Sequence, residues 1–176
     1  MRHSIESYTP QTIIAKQQRQ AFLVWTVACL IVALWIIAIF AAPLAKIGGL
    51  ENLSDSIYSF FSYTCHQMSA RSFHIHQEPL AVCARCFGFY AGFLIGIGVY
   101  PLFRSVANTN SFPRFWLFAA MIPMVADWSL TFFGLWENTH LSRFTTGGIL
   151  GAACAFFILP ALVEIAFLIS AKRRRS

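Results

Sequence analysis

The chain has 176 residues, of which 57% are apolar and 11% are charged, and its mean hydropathy is +0.62. Soluble domains carry about 25% charged residues, so this chain has too few polar side chains to cover a water-facing surface. The composition therefore excludes an ordinary soluble protein and predicts a single integral membrane domain over residues 1–176. The net charge of +6 comes from basic residues near the chain ends and in short connectors, which is typical of membrane topology rather than of nucleic-acid binding.

Four segments are long and apolar enough to cross a bilayer, which takes about 20 residues in a helix. These spans cover residues 21–45, 80–103, 115–136 and 144–171. The first segment is too long for the core of a signal peptide, so we interpret it as a span that is not cleaved. We predict an all-α, polytopic membrane protein with four transmembrane helices.

Basic residues indicate the orientation because Lys and Arg are retained in the cytoplasmic segments of membrane proteins. If both termini are cytoplasmic, nine basic residues lie inside and four lie outside. The inner set is Arg2, Lys16, Arg19, Arg104, Arg114, Lys172, Arg173, Arg174 and Arg175, and the outer set is Lys46, Arg71, Arg85 and Arg143. We therefore expect a protein of the bacterial cytoplasmic (inner) membrane with both termini in the cytoplasm.

Residues 46–79 then form a long outer loop, whereas the outer connection between spans three and four, around residues 137–142, is a tight turn. Within the long loop, Leu53–Tyr63 is rich in aromatic residues and too short to cross the bilayer. We predict a short interfacial helix or a re-entrant segment here, with Ser54 as its N-terminal cap.

Small residues mark the faces through which two spans pack. Helices in lipid associate where small side chains allow close approach of their backbones. Spans two and four each carry such residues at a spacing of four: Gly88, Gly92 and Gly96 in one, and Gly147, Gly151 and Ala155 in the other. Because both spans run from outside to inside, we expect their N-terminal ends at the same surface.

The residues best suited to chemistry lie around three of the five cysteines. Cys83 and Cys86 stand three residues apart at the start of span two, so that both sulfurs point to one side of a helix, and Cys65 can fold back to meet them. The other two cysteines lie deep in the spans, and we interpret them as small apolar fillers: Cys29 and Cys154.

The surrounding motifs resemble those of a bacterial and archaeal membrane-protein family known as domain of unknown function 2085. The shared pattern comprises CHQ at residues 65–67, RSF at 71–73, CARCFGFYAGFLIG at 83–96, Asp127, and NTHLSRFTTGGILG at 138–151. The resemblance extends over about half of the chain, from Tyr63 to Gly151, and departs from the family pattern at Trp128, where Gly is usual. It implies a membrane protein and marks candidate residues, and it implies no particular reaction.

The sequence allows three interpretations of the cysteine cluster. In the first, Cys65, Cys83, Cys86 and one histidine form a tetrahedral site, which suits zinc because thiolate and imidazole match that ion. His66 is the first candidate for the fourth ligand, although its position beside Cys65 requires a bent backbone. The alternatives for the fourth ligand are His74, His76 and His140.

In the second interpretation the protein is a membrane thiol-disulfide oxidoreductase that uses Cys83 and Cys86, with quinone as the cofactor. A helix N-terminus and the neighbouring Arg85 would lower the pKa of a thiol there. In the third, the cysteines form a structural disulfide or remain inert. A separate alternative for the whole protein is a non-catalytic membrane scaffold or subunit that the glycine ridges hold together.

Arg85, Asp127 and Arg143 are candidate catalytic residues because charged groups near lipid are costly unless they are paired or hydrated. We expect them to converge on one pocket beneath the cysteines. One interpretation is a structural ion pair. The other is a site in which the arginines attract the carboxylate or phosphate of an anionic lipid or small amphiphile and Asp127 serves as a general base, a metal ligand or an orienting group. The partners we expect are the lipid bilayer and such an amphiphile, with self-association left open and nucleic acid excluded.

Overall fold

The computed structural model describes residues 11–173. Within that range the chain forms five α-helices, a 3₁₀ turn and a small antiparallel hairpin. In chain order these elements are α1 (Gln11–Ile47), α2 (Glu51–Ser62), the 3₁₀ turn (Ser69–Arg71), β1 (His74–Ile75), β2 (Glu78–Pro79), α3 (Ala84–Phe103), α4 (Phe115–Phe132) and α5 (His140–Arg173). The fold is therefore essentially all-α, as the sequence predicts. Periodicity does not predict the hairpin because each of its strands has only two residues.

Four helices in the described part, α1, α3, α4 and α5, are long and apolar enough to cross a membrane. Most of their large apolar side chains are exposed, which is the arrangement that lipid contact requires. The prediction of a polytopic membrane protein is thus confirmed. Three of the basic residues used for the orientation lie outside the described residues: Arg2, Arg174 and Arg175.

The helix bounds differ from the predicted spans where polar or irregular segments flank the apolar run. Within the described residues α1 extends back to Gln11 and α5 to His140, because a helix continues into polar sequence beyond the hydrocarbon layer. α3, which corresponds to the second predicted span, starts only at Ala84, after a buried non-helical stretch over residues 80–82. α4 ends at Phe132 and is followed by Gly134, whose φ of +69° takes the chain out of the helix.

α3 and α5 run parallel and pack through their small residues. Gly88, Gly92 and Gly96 lie directly against the α5 backbone around residues 144, 148 and 152. A methyl group added at Gly96 would lie 2.8 Å from the Ala155 Cβ, and one added at Gly92 would run into the backbone of Gly148. These ridges therefore face each other within one chain, and they place the N-terminal ends of α3 and α5 at the same end of the bundle, here called the cysteine end.

The other helices are attached to this pair. At the far end, the Gln20 amide of α1 donates hydrogen bonds to the carbonyl oxygen of Ala166 (2.8 Å) and to Ser170 Oγ (2.5 Å). Further along α1, Trp25 Nε1 donates to the Ile97 carbonyl oxygen at 2.8 Å. α4 packs mainly against α5.

The predicted short helix in the long loop is present as α2, but its predicted cap is wrong. α2 begins at Glu51, and Leu50 stands at the N-cap position without a side-chain hydrogen bond. Ser54 lies buried inside the helix, where its Oγ donates to the Ala42 carbonyl oxygen at 2.9 Å. The helix starts about one turn earlier than expected, and Ser54 ties it to α1 instead of capping it.

Candidate metal centre

The sulfurs of Cys65, Cys83 and Cys86 lie within 4.8 Å of one another. Cys83 is the N-cap residue of α3 and Cys86 lies in the first turn of that helix, so their spacing of three places both on one side. Cys65 comes from the segment after α2 and is only 6% exposed. All five cysteines lie in the described part of the chain and are unpaired.

Gln67 holds Cys65 in this position. Its side-chain amide donates hydrogen bonds to the carbonyl oxygens of Tyr58 (2.7 Å) and Ala81 (2.9 Å). It thereby joins the end of α2 to the segment that leads into α3. The sequence analysis did not assign a role to Gln67, although its place in the CHQ motif was a usable signal.

Backbone N–H groups point at the sulfur of Cys65. The N–H of Cys83 donates to it at 3.2 Å, and the N–H of Gln67 at 3.5 Å. Such donors stabilise a thiolate. Hydrogen bonds with Cys65 and Cys86 also lower the pKa of the Cys83 thiol, although burial opposes this shift. Since the thiolate is the form that binds metals, the cluster has the chemistry of a metal site.

His66 is exposed and lies outside the group of sulfurs. Within residues 11–173, the group of closely spaced ligand atoms that includes Cys65 contains cysteines only. His66 nevertheless lines a cavity of about 280 Å³ together with the three cysteines. A fourth ligand would therefore come from His66 or from a molecule that enters this cavity.

The remaining histidines weighed as ligands have other surroundings. His74 lies 3.0 Å from Ser69 Oγ through its Nε2. The ring of His140 lies 5.6 Å from that of Phe73. His76 is exposed in the turn of the hairpin, with a φ of +46°.

Arg85, Asp127 and Arg143 form one network next to the cysteines. Arg85 Nη2 lies 2.6 Å from Asp127 Oδ2, and Asp127 is only 8% exposed. Asn138 bridges the rest of the network: its Nδ2 donates to Asp127 Oδ2 at 3.0 Å, and its Oδ1 accepts a hydrogen bond from Arg143 Nε at 2.6 Å. The network joins α3, α4 and α5, and Asn138 is a linking residue that the sequence analysis named only as part of a motif.

A second cavity of about 300 Å³, here called the arginine cavity, adjoins this network. Its lining residues are Arg71, Cys83, Arg85, Cys86, Trp128, Thr131, Phe132, Asn138 and Arg143. Cys83 and Cys86 also line the first cavity, so an ion held by the sulfurs would border both cavities. Arg71 is a further member that the sequence analysis left without a role, although it belongs to the RSF motif.

The profile of a predicted membrane protein family, DUF2085, matches residues 65–157. The uncharacterized protein MJ1492 of Methanocaldococcus jannaschii is 38% identical over 136 residues, which cover 74% of this chain and 87% of that protein. This chain belongs to the DUF2085 family. The DUF2085 region starts at Cys65 and includes the cysteine cluster, the ion-pair network and the interface between α3 and α5. No solved structure matches the chain.

Proposed function

We propose that this DUF2085 protein is a membrane protein with a zinc centre at its cysteine end, formed by Cys65, Cys83 and Cys86. The observation that carries the proposal is the distance of at most 4.8 Å between any two of the three sulfurs, which come from two separate segments of the chain. Three thiolates around one ion suit zinc, and catalytic zinc sites combine three protein ligands with one exchangeable position. His66 or a bound molecule completes the coordination in this proposal.

The arginine cavity gives the zinc centre a ligand site. Arg85 and Arg143 line it beside two of the cysteines, and guanidinium groups bind carboxylate or phosphate through paired hydrogen bonds. We therefore propose that the cavity holds the anionic group of a lipid or small amphiphile. Asp127 already accepts hydrogen bonds from Arg85 and Asn138, which favours a role in positioning Arg85 over one as a metal ligand.

The metal content of the purified full-length protein tests the zinc centre. We expect about one zinc ion per chain, and none in Cys83→Ser, because the loss of one thiolate leaves the ion with two sulfur ligands. Cys154→Ser is the matched control, since Cys154 is another half-buried cysteine and lies in α5. Folded wild-type protein that carries no metal after purification in zinc-containing buffer would contradict the proposal.

Thiol-disulfide exchange is the alternative that the same cluster favours, because three thiols this close can pass a disulfide between them. In that case Cys83 and Cys86 would change between reduced and oxidised forms with the supply of quinone. Alkylation trapping in growing cells measures this change. Thiols that stay reduced in all conditions, together with bound zinc, would remove the alternative.

We further propose that the chain forms one domain in the cytoplasmic membrane, with the cysteine end outside and both termini inside. The described basic residues support this orientation, because those at the end of the bundle opposite the cysteines outnumber those near them. The opposite end carries Lys16, Arg19, Arg104, Arg114, Lys172 and Arg173, and the cysteine end carries Lys46, Arg71, Arg85 and Arg143.

Labelling with a membrane-impermeant maleimide tests the orientation. Tyr63, after α2, is 88% exposed, and Ser111 is exposed in the connection between α3 and α4. Tyr63→Cys should react in intact cells, and Ser111→Cys should react only after lysis. The wild-type chain supplies the background from the native cysteines. The reverse labelling pattern would contradict the orientation.

A further inference from the structure

In the described part of the chain, the side chains that line the arginine cavity include three arginines and no acidic residue. The arginines are Arg71, Arg85 and Arg143. Asp127 forms the ion pair with Arg85 at 2.6 Å, and neither Arg71 nor Arg143 forms an ion pair within residues 11–173. Arg143 bonds only the neutral amide of Asn138 in this network. Two guanidinium groups of the cavity are therefore without an ion-pair partner among residues 11–173.

One donor of Arg85 also lacks a hydrogen-bond partner. Its Nε is fully buried and forms no hydrogen bond in the described part of the protein. A buried donor without an acceptor lowers stability by about 1–3 kcal/mol. Arg85 also lines the cavity, so three guanidinium groups border the space for a ligand.

One wall of the cavity is apolar and faces outward. Trp128 and Phe132 of α4 line it and are 55% and 69% exposed. Their rings are stacked, with centroids 5.3 Å apart and an angle of 21° between the planes. Since α4 is one of the membrane spans, this wall connects the charged cavity with the hydrocarbon layer. An anion with an apolar tail matches both parts.

We propose that the arginine cavity binds the phosphate monoester headgroup of an amphiphile, with Arg71 and Arg143 on the phosphate and the tail along Trp128 and Phe132. A phosphate monoester carries a charge of about −1.5 to −2 at pH 7 and three acceptor oxygens, so it can accept hydrogen bonds from both of these guanidinium groups. A carboxylate or a phosphodiester carries a single negative charge and has only two charged oxygens to offer them. This proposal takes from the proposed function only that the ligand is an amphiphilic anion, and it adds the chemical class of the headgroup.

Isothermal titration calorimetry on the full-length protein in a non-ionic detergent tests this inference. The probes are dihexanoyl phosphatidic acid, dihexanoyl phosphatidylglycerol, dodecanoate and inorganic phosphate. We expect phosphatidic acid to bind at least about ten-fold more tightly than each of the other three. Equal binding of phosphatidylglycerol, a singly charged phosphodiester, or of dodecanoate would overturn the choice of a phosphate monoester. Inorganic phosphate that binds as tightly as phosphatidic acid would overturn the amphiphile and identify a soluble phosphate as the ligand.

Variants locate the binding site. Arg143→Gln retains a donor for Asn138, and Arg71→Gln changes an exposed side chain, so each should fold and should weaken phosphatidic acid binding about ten-fold or more. Arg104→Gln is the matched control, because Arg104 lies at the far end of α3 against Phe112. Phe132→Ala should weaken the binding of phosphatidic acid and leave that of inorganic phosphate unchanged. Phosphatidic acid binding that is unchanged in Arg71→Gln and Arg143→Gln would overturn the proposed site.

The zinc content of the same samples separates this inference from the proposed metal centre. Protein that holds zinc and does not bind phosphatidic acid would overturn the inference and leave the metal centre intact. Protein without zinc that binds phosphatidic acid in an arginine-dependent way would overturn the metal centre and support the ligand class.

Discussion

Replacing Gln67 by Ala should weaken zinc binding although Gln67 is not a proposed ligand. The substitution removes two hydrogen bonds from the Gln67 amide, one to the carbonyl oxygen of Tyr58 in α2 (2.7 Å) and one to that of Ala81 just before α3 (2.9 Å). Each such bond contributes about 1 kcal/mol. The arrangement that holds Cys65 beside Cys83 is therefore destabilised by about 2 kcal/mol. If this loss falls entirely on the metal-bound arrangement, the affinity for zinc decreases about 30-fold, within the range for residues that orient metal ligands.

Competition with a chromophoric zinc chelator measures this change in affinity. Gln77→Ala is a closely matched control, because Gln77 is an exposed glutamine in the same loop and also has a positive φ, +73° against +50° for Gln67. The control should bind zinc as the wild type does. Zinc affinity within about two-fold of wild type in Gln67→Ala would refute the argument that this amide positions Cys65.

Two further predictions concern packing and charge. Gly92→Ala should destabilise the protein by about 1–3 kcal/mol or more, because the added methyl group meets the backbone of Gly148. Gly98→Ala is the control and should be tolerated, because there is open space around Gly98. Thermal unfolding in detergent compares the two variants, and equal stability would contradict the tight α3–α5 contact. Asp127→Asn should lower the free energy of unfolding by about 3 kcal/mol. This value is the lower end of the range for a broken buried ion pair, because Arg85 remains partly exposed. The double variant with Arg85→Gln should recover part of this loss, and strictly additive effects would show that the two side chains are not coupled.

Much of the candidate site could be predicted because it depends on local spacing. The interval of three between Cys83 and Cys86 puts both sulfurs on one side of a helix in any fold. Asp127 stood out because an acid within an apolar span needs a partner, and the partner, Arg85, occupies a similar depth on α3. Both inferences use only the rise and the period of a helix.

The connecting residues could not be predicted in the same way. Gln67 and Asn138 act through hydrogen bonds to groups that are distant along the chain, and a polar residue in a loop has no periodic pattern that reveals such a partner. The assignment of Ser54 as a cap failed for a related reason. A serine hydroxyl can cap the N-terminus of its own helix, or it can donate a hydrogen bond to a backbone carbonyl of a neighbouring helix. Only the packing of α2 on α1 decides which of these two roles Ser54 takes.

Hydropathy and the spacing of small residues are enough to establish four membrane-spanning helices and the faces through which two of them pack, because both depend on transfer to lipid and on helical periodicity. The meeting of Cys65 with Cys83 and Cys86 depends instead on the course of the irregular segment from residue 63 to residue 83. Left-handed backbone conformations at Gln67, His76 and Gln77 turn that segment, and hydrogen bonds between distant residues hold it in place. Such contacts are absent from any local pattern, so only the tertiary structure decides which side chains share the site.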